Sequence, residues 1–185
     1  MCVIIIKPAN AAMPSIEELR AAYECNPHGC GFVSESKFYK SLSFERFLEE
    51  LSKVGHGERC IIHFRLATHG SVRRANCHPF KYDNVYFAHN GILKVDAMDD
   101  RTDSETAFRN ILMPIIESRG IESPELEYTI TQFIGSSKFA FMYEGKIYTF
   151  GQFIKHKGRY YSNTRHINVS PRYREMTWGD YLSLR

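Results

Sequence analysis

Apolar positions open the chain without a break: Val3, Ile4, Ile5 and Ile6 follow Cys2 directly. A short β-branched run with no polar alternation predicts a strand covered on both faces. Such a strand would hold an end of the chain that otherwise frays. The spacing then turns helical. Ile16, Leu19, Ala22 and Tyr23 share a face, Ser15 caps it, and Glu18 completes a capping box. The helix ends near Asn26-Pro27, because proline disfavours helix in the residue before it. The stretch Asn26-Pro27-His28-Gly29-Cys30-Gly31-Phe32 predicts a turn running into a strand. Ser43 caps a second helix with Phe44, Phe47, Leu48 and Leu51 at helical spacing, and Gly55-His56-Gly57 ends it.

Residues 59–66 read as a strand. Its period of two sets His63 and Arg65 on one face, Phe64 and Leu66 on the other. Residues 85–89 form another strand, after a turn at Asp83-Asn84, and stop at Asn90-Gly91, a pair that predicts a hairpin turn. Thr102-Asp103-Ser104-Glu105 is a second capping box, opening a helix through Phe108, Leu112 and Ile116 that Pro114 should kink. Ser123-Pro124 opens a further helix. Residues 138–143 and 146–150 flank Glu144-Gly145 as a hairpin, and 159–162 suggest one more strand. With no repeat, low-complexity tract or linker, residues 1–185 read as one domain whose tail, 170–185, sets Tyr173, Trp178 and Tyr181 among charges. Strands at both ends with helices between predict an α+β fold in which helices cover sheets.

Composition changes this picture little. The net charge is +3 and the basic residues are dispersed apart from Arg73-Arg74 and the segment 155–159, too weak a signal for nucleic acid, so no nucleic-acid partner is expected. No apolar stretch approaches the roughly 20 residues of a membrane helix, and no signal peptide precedes the first strand. The five cysteines are odd in number and scattered, as expected in a reducing cytoplasm. Cys25, His28 and Cys30 lie close in sequence, as do Cys77 and His78, but without paired ligand spacing no metal is expected.

The candidate chemistry begins at Cys2. Removal of Met1, favoured before a small residue, would leave a free α-amine and a thiol on one residue, a base beside a nucleophile. Read on this stretch alone, Cys2 is simply the second residue of an N-terminal strand. Arg65 is a cation on a core strand and needs an anionic partner. Asn90-Gly91 read locally is a turn, and Asp103 a carboxylate favoured by the helix dipole. All these polar residues, however, fall at strand exits or helix starts, where sites form on a rigid scaffold.

In combination, the motifs resemble those of the class II glutamine amidotransferases, N-terminal-nucleophile hydrolases, here in a stand-alone form. Cys2 stands behind the initiator. Arg65-Leu66-Ala67-Thr68-His69-Gly70, Asn76-Cys77-His78-Pro79, His89-Asn90-Gly91-Ile92 and Thr102-Asp103-Ser104-Glu105 follow in the family's order. One place departs from the pattern: His28 stands where the family often carries an acidic residue. The resemblance implies a four-layer αββα sandwich of two antiparallel sheets between helical layers. It implies that Cys2 attacks the side-chain amide of glutamine, with its own α-amine as base and with Asn90 and Gly91 as oxyanion donors. Arg65 would bind the α-carboxylate and Asp103 the α-ammonium, while Thr68 and His69 line the pocket. No cofactor or metal is required. Ammonia would pass to a separate acceptor synthase subunit, or be released by a free-standing glutaminase. Two alternatives stay open: an N-terminal-cysteine hydrolase of a γ-glutamyl amide of another amine, and a non-catalytic module that binds glutamine or docks a partner.

Overall fold

The computed structural model describes residues 2–67, 70–97 and 101–167. Among them the chain runs β1 (Val3–Lys7), α1 (Ile16–Cys25), β2 (Cys30–Ser34), β3 (Phe38–Ser41), α2 (Phe44–Leu51), β4 (Cys60–Phe64), β5 (Phe80–Tyr82), β6 (Val85–Asn90), α3 (Asp103–Ala107), α4 (Met113–Arg119), α5 (Pro124–Phe133), β7 (Lys138–Tyr143), β8 (Lys146–Phe150), β9 (Ile154–His156) and β10 (Arg159–Tyr161). The strands form a six-stranded sheet, β3-β2-β4-β1-β10-β9, and a four-stranded sheet, β5-β6-β7-β8. Their pairings are antiparallel.

The unbroken apolar run of β1 has a direct cause. Val3 and Ile5 pack with Leu19, Ala22, Phe44 and Phe47 of α1 and α2. Ile4 and Ile6 face the other way and meet Ala88, Ala140 and Met142 of the second sheet. The outer face of that sheet, with Phe87, Phe139 and Phe141, packs on Phe108, Leu112, Leu126 and Ile130 of the helical segments 103–133. These three apolar layers make an αββα sandwich, and β1 lies inside it, between β4 and β10.

Side chains cap the helices where the sequence places them: Ser15 accepts from Glu18 N–H, Ser43 from Arg46, Thr102 from Glu105 and Ser123 from Leu126. The expected effect of Pro114 takes a particular form. A π-helical turn, Phe108–Leu112, separates α3 from α4. It lies one turn ahead of the proline, which cannot donate to the carbonyl before it.

Two local expectations are corrected. Asn90-Gly91 is not a hairpin turn: β6 hairpins with β5 through Asp83-Asn84, and its other neighbour, β7, follows only after the helices. β4 ends at Phe64 and not at residue 66, because its ladders with both neighbours stop there, at the pairs Val3–Phe64 and Cys30–Phe64. The short strands β3, β5 and β9 are additions to the sequence reading.

Candidate active site

Cys2 immediately precedes β1, and neighbouring segments fix it at several atoms. Asn163 Nδ2 donates to the Cys2 carbonyl at 2.8 Å, and Leu66 N–H donates to Sγ at 3.3 Å. The thiol also lies 3.5 Å from the Leu66 carbonyl. Burial lifts the Cys2 pKa above its ordinary value, while the Leu66 N–H, the amino terminus and the Arg65 charge oppose that rise.

Residues 65–67 continue from β4 toward Cys2. Arg65 N–H donates to the Gly29 carbonyl at 2.7 Å, and the Arg65 carbonyl accepts from His28 N–H at 3.0 Å. His28 Nδ1 accepts the Ala67 N–H at 2.9 Å. The residue that departs from the family pattern thus supplies an acceptor for the segment that holds the thiol. The Arg65 side chain is buried, and its Nη1 donates to the Ser71 carbonyl at 3.0 Å.

At the end of β6, Asn90 Nδ2 donates to Ser162 Oγ at 2.8 Å. The same oxygen accepts Ile4 N–H at 2.8 Å. One hydroxyl therefore couples Asn90 to β1, the strand that follows Cys2. Gly91 follows in a confined place: a Cβ there would lie 2.0 Å from Ser137 Oγ and 2.9 Å from its Cα. Only glycine lets this backbone pass so close to Ser137.

Asp103 opens α3. Its Oδ1 accepts Ser104 N–H at 2.8 Å and Ser104 Oγ–H at 3.1 Å, and its Oδ2 accepts Leu93 N–H at 3.0 Å. Cys2, Arg65, Gly91 and Asp103 line one cavity, together with His78, His89 and Ser104. The structure therefore brings together four residues singled out in the sequence, with Asn90 held beside them by Ser162. Thr68 and His69 lie outside the described residues, as do Met1 and the tail 170–185.

Sequence reasoning missed Ser104, Ser162 and Asn163 as support. The last two act across 158 to 161 residues of chain, and no local pattern marks such contacts. It also passed over three buried histidines. The His63 and His78 rings lie 4.3 Å apart, tilted by 35°, and His63 Nε2 lies 3.1 Å from the His89 carbonyl. Burial lowers the pKa of His63 to about 3 and of His89 to about 4, and holds His78 well below its ordinary value. These rings are neutral at physiological pH.

A larger open cleft between residues 119–125 and the β7–β8 hairpin is lined by Arg119, Glu122, Glu125 and Lys146. None of the buried side-chain atoms lacking a hydrogen bond belongs to its lining. Among the described residues, no group of three or more His, Cys, Asp or Glu is placed to hold a metal ion, and no helix is long and apolar enough to cross a membrane.

Comparison with known proteins agrees with the geometry. A search of curated proteins finds no significant match. Among solved structures, the fold is similar to the structure of the allosteric regulatory enzyme of purine biosynthesis, with a TM-score of 0.55 and 19% sequence identity. That match covers 87% of this chain and 41% of the other, so the present chain spans less than half of that enzyme's length. The likeness is one of fold and supports the αββα sandwich of two antiparallel sheets with helices. The model of the class-II glutamine amidotransferases matches residues 29–137, more than half of the sequence, and the chain belongs to that family.

Proposed function

We propose that this chain hydrolyses the side-chain amide of glutamine, with Cys2 as an N-terminal nucleophile. The observation that carries the reading is that Cys2, Arg65 and Asp103 line one cavity. A cation and an anion on the same cavity suit a zwitterionic amino acid. Arg65 takes the α-carboxylate in a fork geometry that lysine lacks. Asp103 takes the α-ammonium: three donors already occupy its oxygens, which leaves acceptor capacity for one more.

The raised pKa of Cys2 makes a base necessary, because the thiol stays protonated at neutral pH. Removal of Met1 supplies one: the α-amine of Cys2, with a reference pKa of about 8, accepts the thiol proton. Sγ then bonds to the amide carbon. The oxyanion meets the second N–H of Asn90 Nδ2 and the N–H of Gly91. As the tetrahedral intermediate collapses, the C–N bond breaks and the nitrogen leaves as ammonia with the proton returned by the amine. Water cleaves the γ-glutamyl thioester and regenerates the thiol, releasing glutamate. The ammonia goes to an acceptor synthase domain or subunit, or to solvent. Thr68 and His69 line the substrate pocket in this reading.

Ammonia release from glutamine tests the proposal. Wild-type protein with Met1 removed should release ammonia and glutamate in equal amounts, and Cys2→Ala should release none above background. Equal turnover by the variant would refute Cys2 as nucleophile.

A further inference from the structure

Asp103 is held by a chain of groups that begins in the opposite element. His89 lies on β6, directly before Asn90, and its Nδ1 is 2.7 Å from Ser104 Oγ. Ser104 Oγ in turn is 3.1 Å from Asp103 Oδ1. An ionised carboxylate only accepts, so the serine hydroxyl hydrogen points to Asp103. Oγ must then accept from His89, which places the imidazole proton on Nδ1. The backbone of the same residue is held as well, since the His89 carbonyl lies 3.1 Å from His63 Nε2. His89 and Ser104 are buried, and Ser104 adds its backbone N–H to the same carboxylate oxygen.

This arrangement leaves the hydroxyl little choice. Without the His89 N–H, Oγ–H could rotate away from Asp103. Without Oγ, Oδ1 would keep only the Ser104 backbone donor, and the carboxylate could turn about its terminal bond. We infer that Ser104 and His89 are positioning residues that orient the Asp103 carboxylate toward the α-ammonium of the substrate and so set selectivity for an α-amino amide. The inference rests on the proposed reading of Asp103. It adds that the oxyanion strand and the ammonium partner are one connected unit, because His89 and Asn90 are consecutive in β6.

Steady-state kinetics on the full chain test this, with glutamine and with glutaramate, which has the same amide but no α-amino group. Wild type should show a much higher KM for glutaramate than for glutamine. Ser104→Ala should raise KM for glutamine about tenfold, as expected for weakening one hydrogen-bonded charge contact, and change kcat by less than about threefold. Its KM for glutaramate should equal that of wild type, since Asp103 has nothing to hold there. Ser104→Thr keeps the hydroxyl and should restore the glutamine KM. His89→Phe should act in the same direction as Ser104→Ala, and the double variant should be no worse than Ser104→Ala, because the two groups form one chain. Urea unfolding establishes that each variant is folded. If Ser104→Ala loses its unfolding transition, Ser104→Cys makes the same comparison. An equal penalty on both substrates, or no penalty on glutamine, overturns the inference. A wild-type enzyme that does not distinguish the substrates overturns the reading of Asp103 instead.

Discussion

Replacing Ser162 by alanine removes one oxygen and should impair both stability and catalysis. Ser162 is buried, and its Oγ accepts from Ile4 N–H and Asn90 Nδ2, each at 2.8 Å. Both donors lie in the interior, so each is left unsatisfied at a cost of about 1–3 kcal/mol. The two costs sum to about 2–6 kcal/mol, reduced to about 2–4 kcal/mol by partial relaxation, which is less than the 5–15 kcal/mol typical of a domain, so the variant should fold. The backbone bond from Ser162 N–H to the Ile4 carbonyl, 2.9 Å, is untouched and keeps β10 registered on β1. Asn90, by contrast, loses the tether that aims its amide. In the proposed mechanism Asn90 is an oxyanion donor; loss of such a donor typically lowers kcat by about 100- to 1,000-fold, and a mis-aimed one should cost about 10- to 100-fold. The assay pairs urea unfolding with ammonia release at saturating glutamine. Ser162→Thr, which keeps the oxygen, should lie near wild type in both. Ser162→Ala with a lowered unfolding midpoint but wild-type kcat would refute the coupling of Asn90 to the nucleophile strand.

Other perturbations follow from the same geometry. Gly91→Ala would drive a methyl to 2.0 Å from Ser137 Oγ, so the backbone must shift. The expected result is loss of about 1–3 kcal/mol of stability and a fall in kcat, partly restored by Ser137→Gly; wild-type kcat in the single variant would contradict the crowding. Acid should destabilise the fold through its buried histidines. An unfolded histidine takes up a proton near pH 6.5. In the fold, His63 titrates at about 3 and His89 at about 4. The unfolded state therefore binds more protons below pH 6.5. The stabilisation is complete above that value and is lost by about 1.4 kcal/mol per pH unit for each histidine as pH falls from 6.5, down to about 4 for His89 and about 3 for His63. Urea midpoints at pH 7, 6 and 5 should fall accordingly, and a constant midpoint would contradict the neutral state of these rings.

How much of this was legible in the sequence depends on the range of the interaction involved. Helix starts were visible because capping acts within four residues: Ser15 with Glu18, Thr102 with Glu105. β1 was visible because burial on both faces leaves a run with no polar break. Strands β3, β5 and β9 were not, being three or four residues long with exposed or polar positions such as Lys40, Lys81 and Lys155. Asn90-Gly91 carried a local hairpin signal that the long-range fold overrides: the glycine is there because Ser137 crowds it. Cys2, Arg65 and Asp103 could be named from motifs. The groups that aim them could not. Ser162 and Asn163 reach the other end of the chain, and Ser104 reads as an ordinary helix-start residue until His89 is placed against it. His28 stood out only as a departure, and its role as acceptor for Ala67 N–H needed the fold.

The most direct measurement is intact mass and peptide mapping after reaction with an electrophilic glutamine analogue such as 6-diazo-5-oxo-L-norleucine. A Cys2 nucleophile with a free amine predicts one adduct per chain, on a peptide that begins at Cys2 without Met1, with glutamine protecting against labelling. A protein that lacks Met1 yet takes no label, or takes it at Cys25, Cys30, Cys60 or Cys77, would contradict the assignment of Cys2 as the nucleophile.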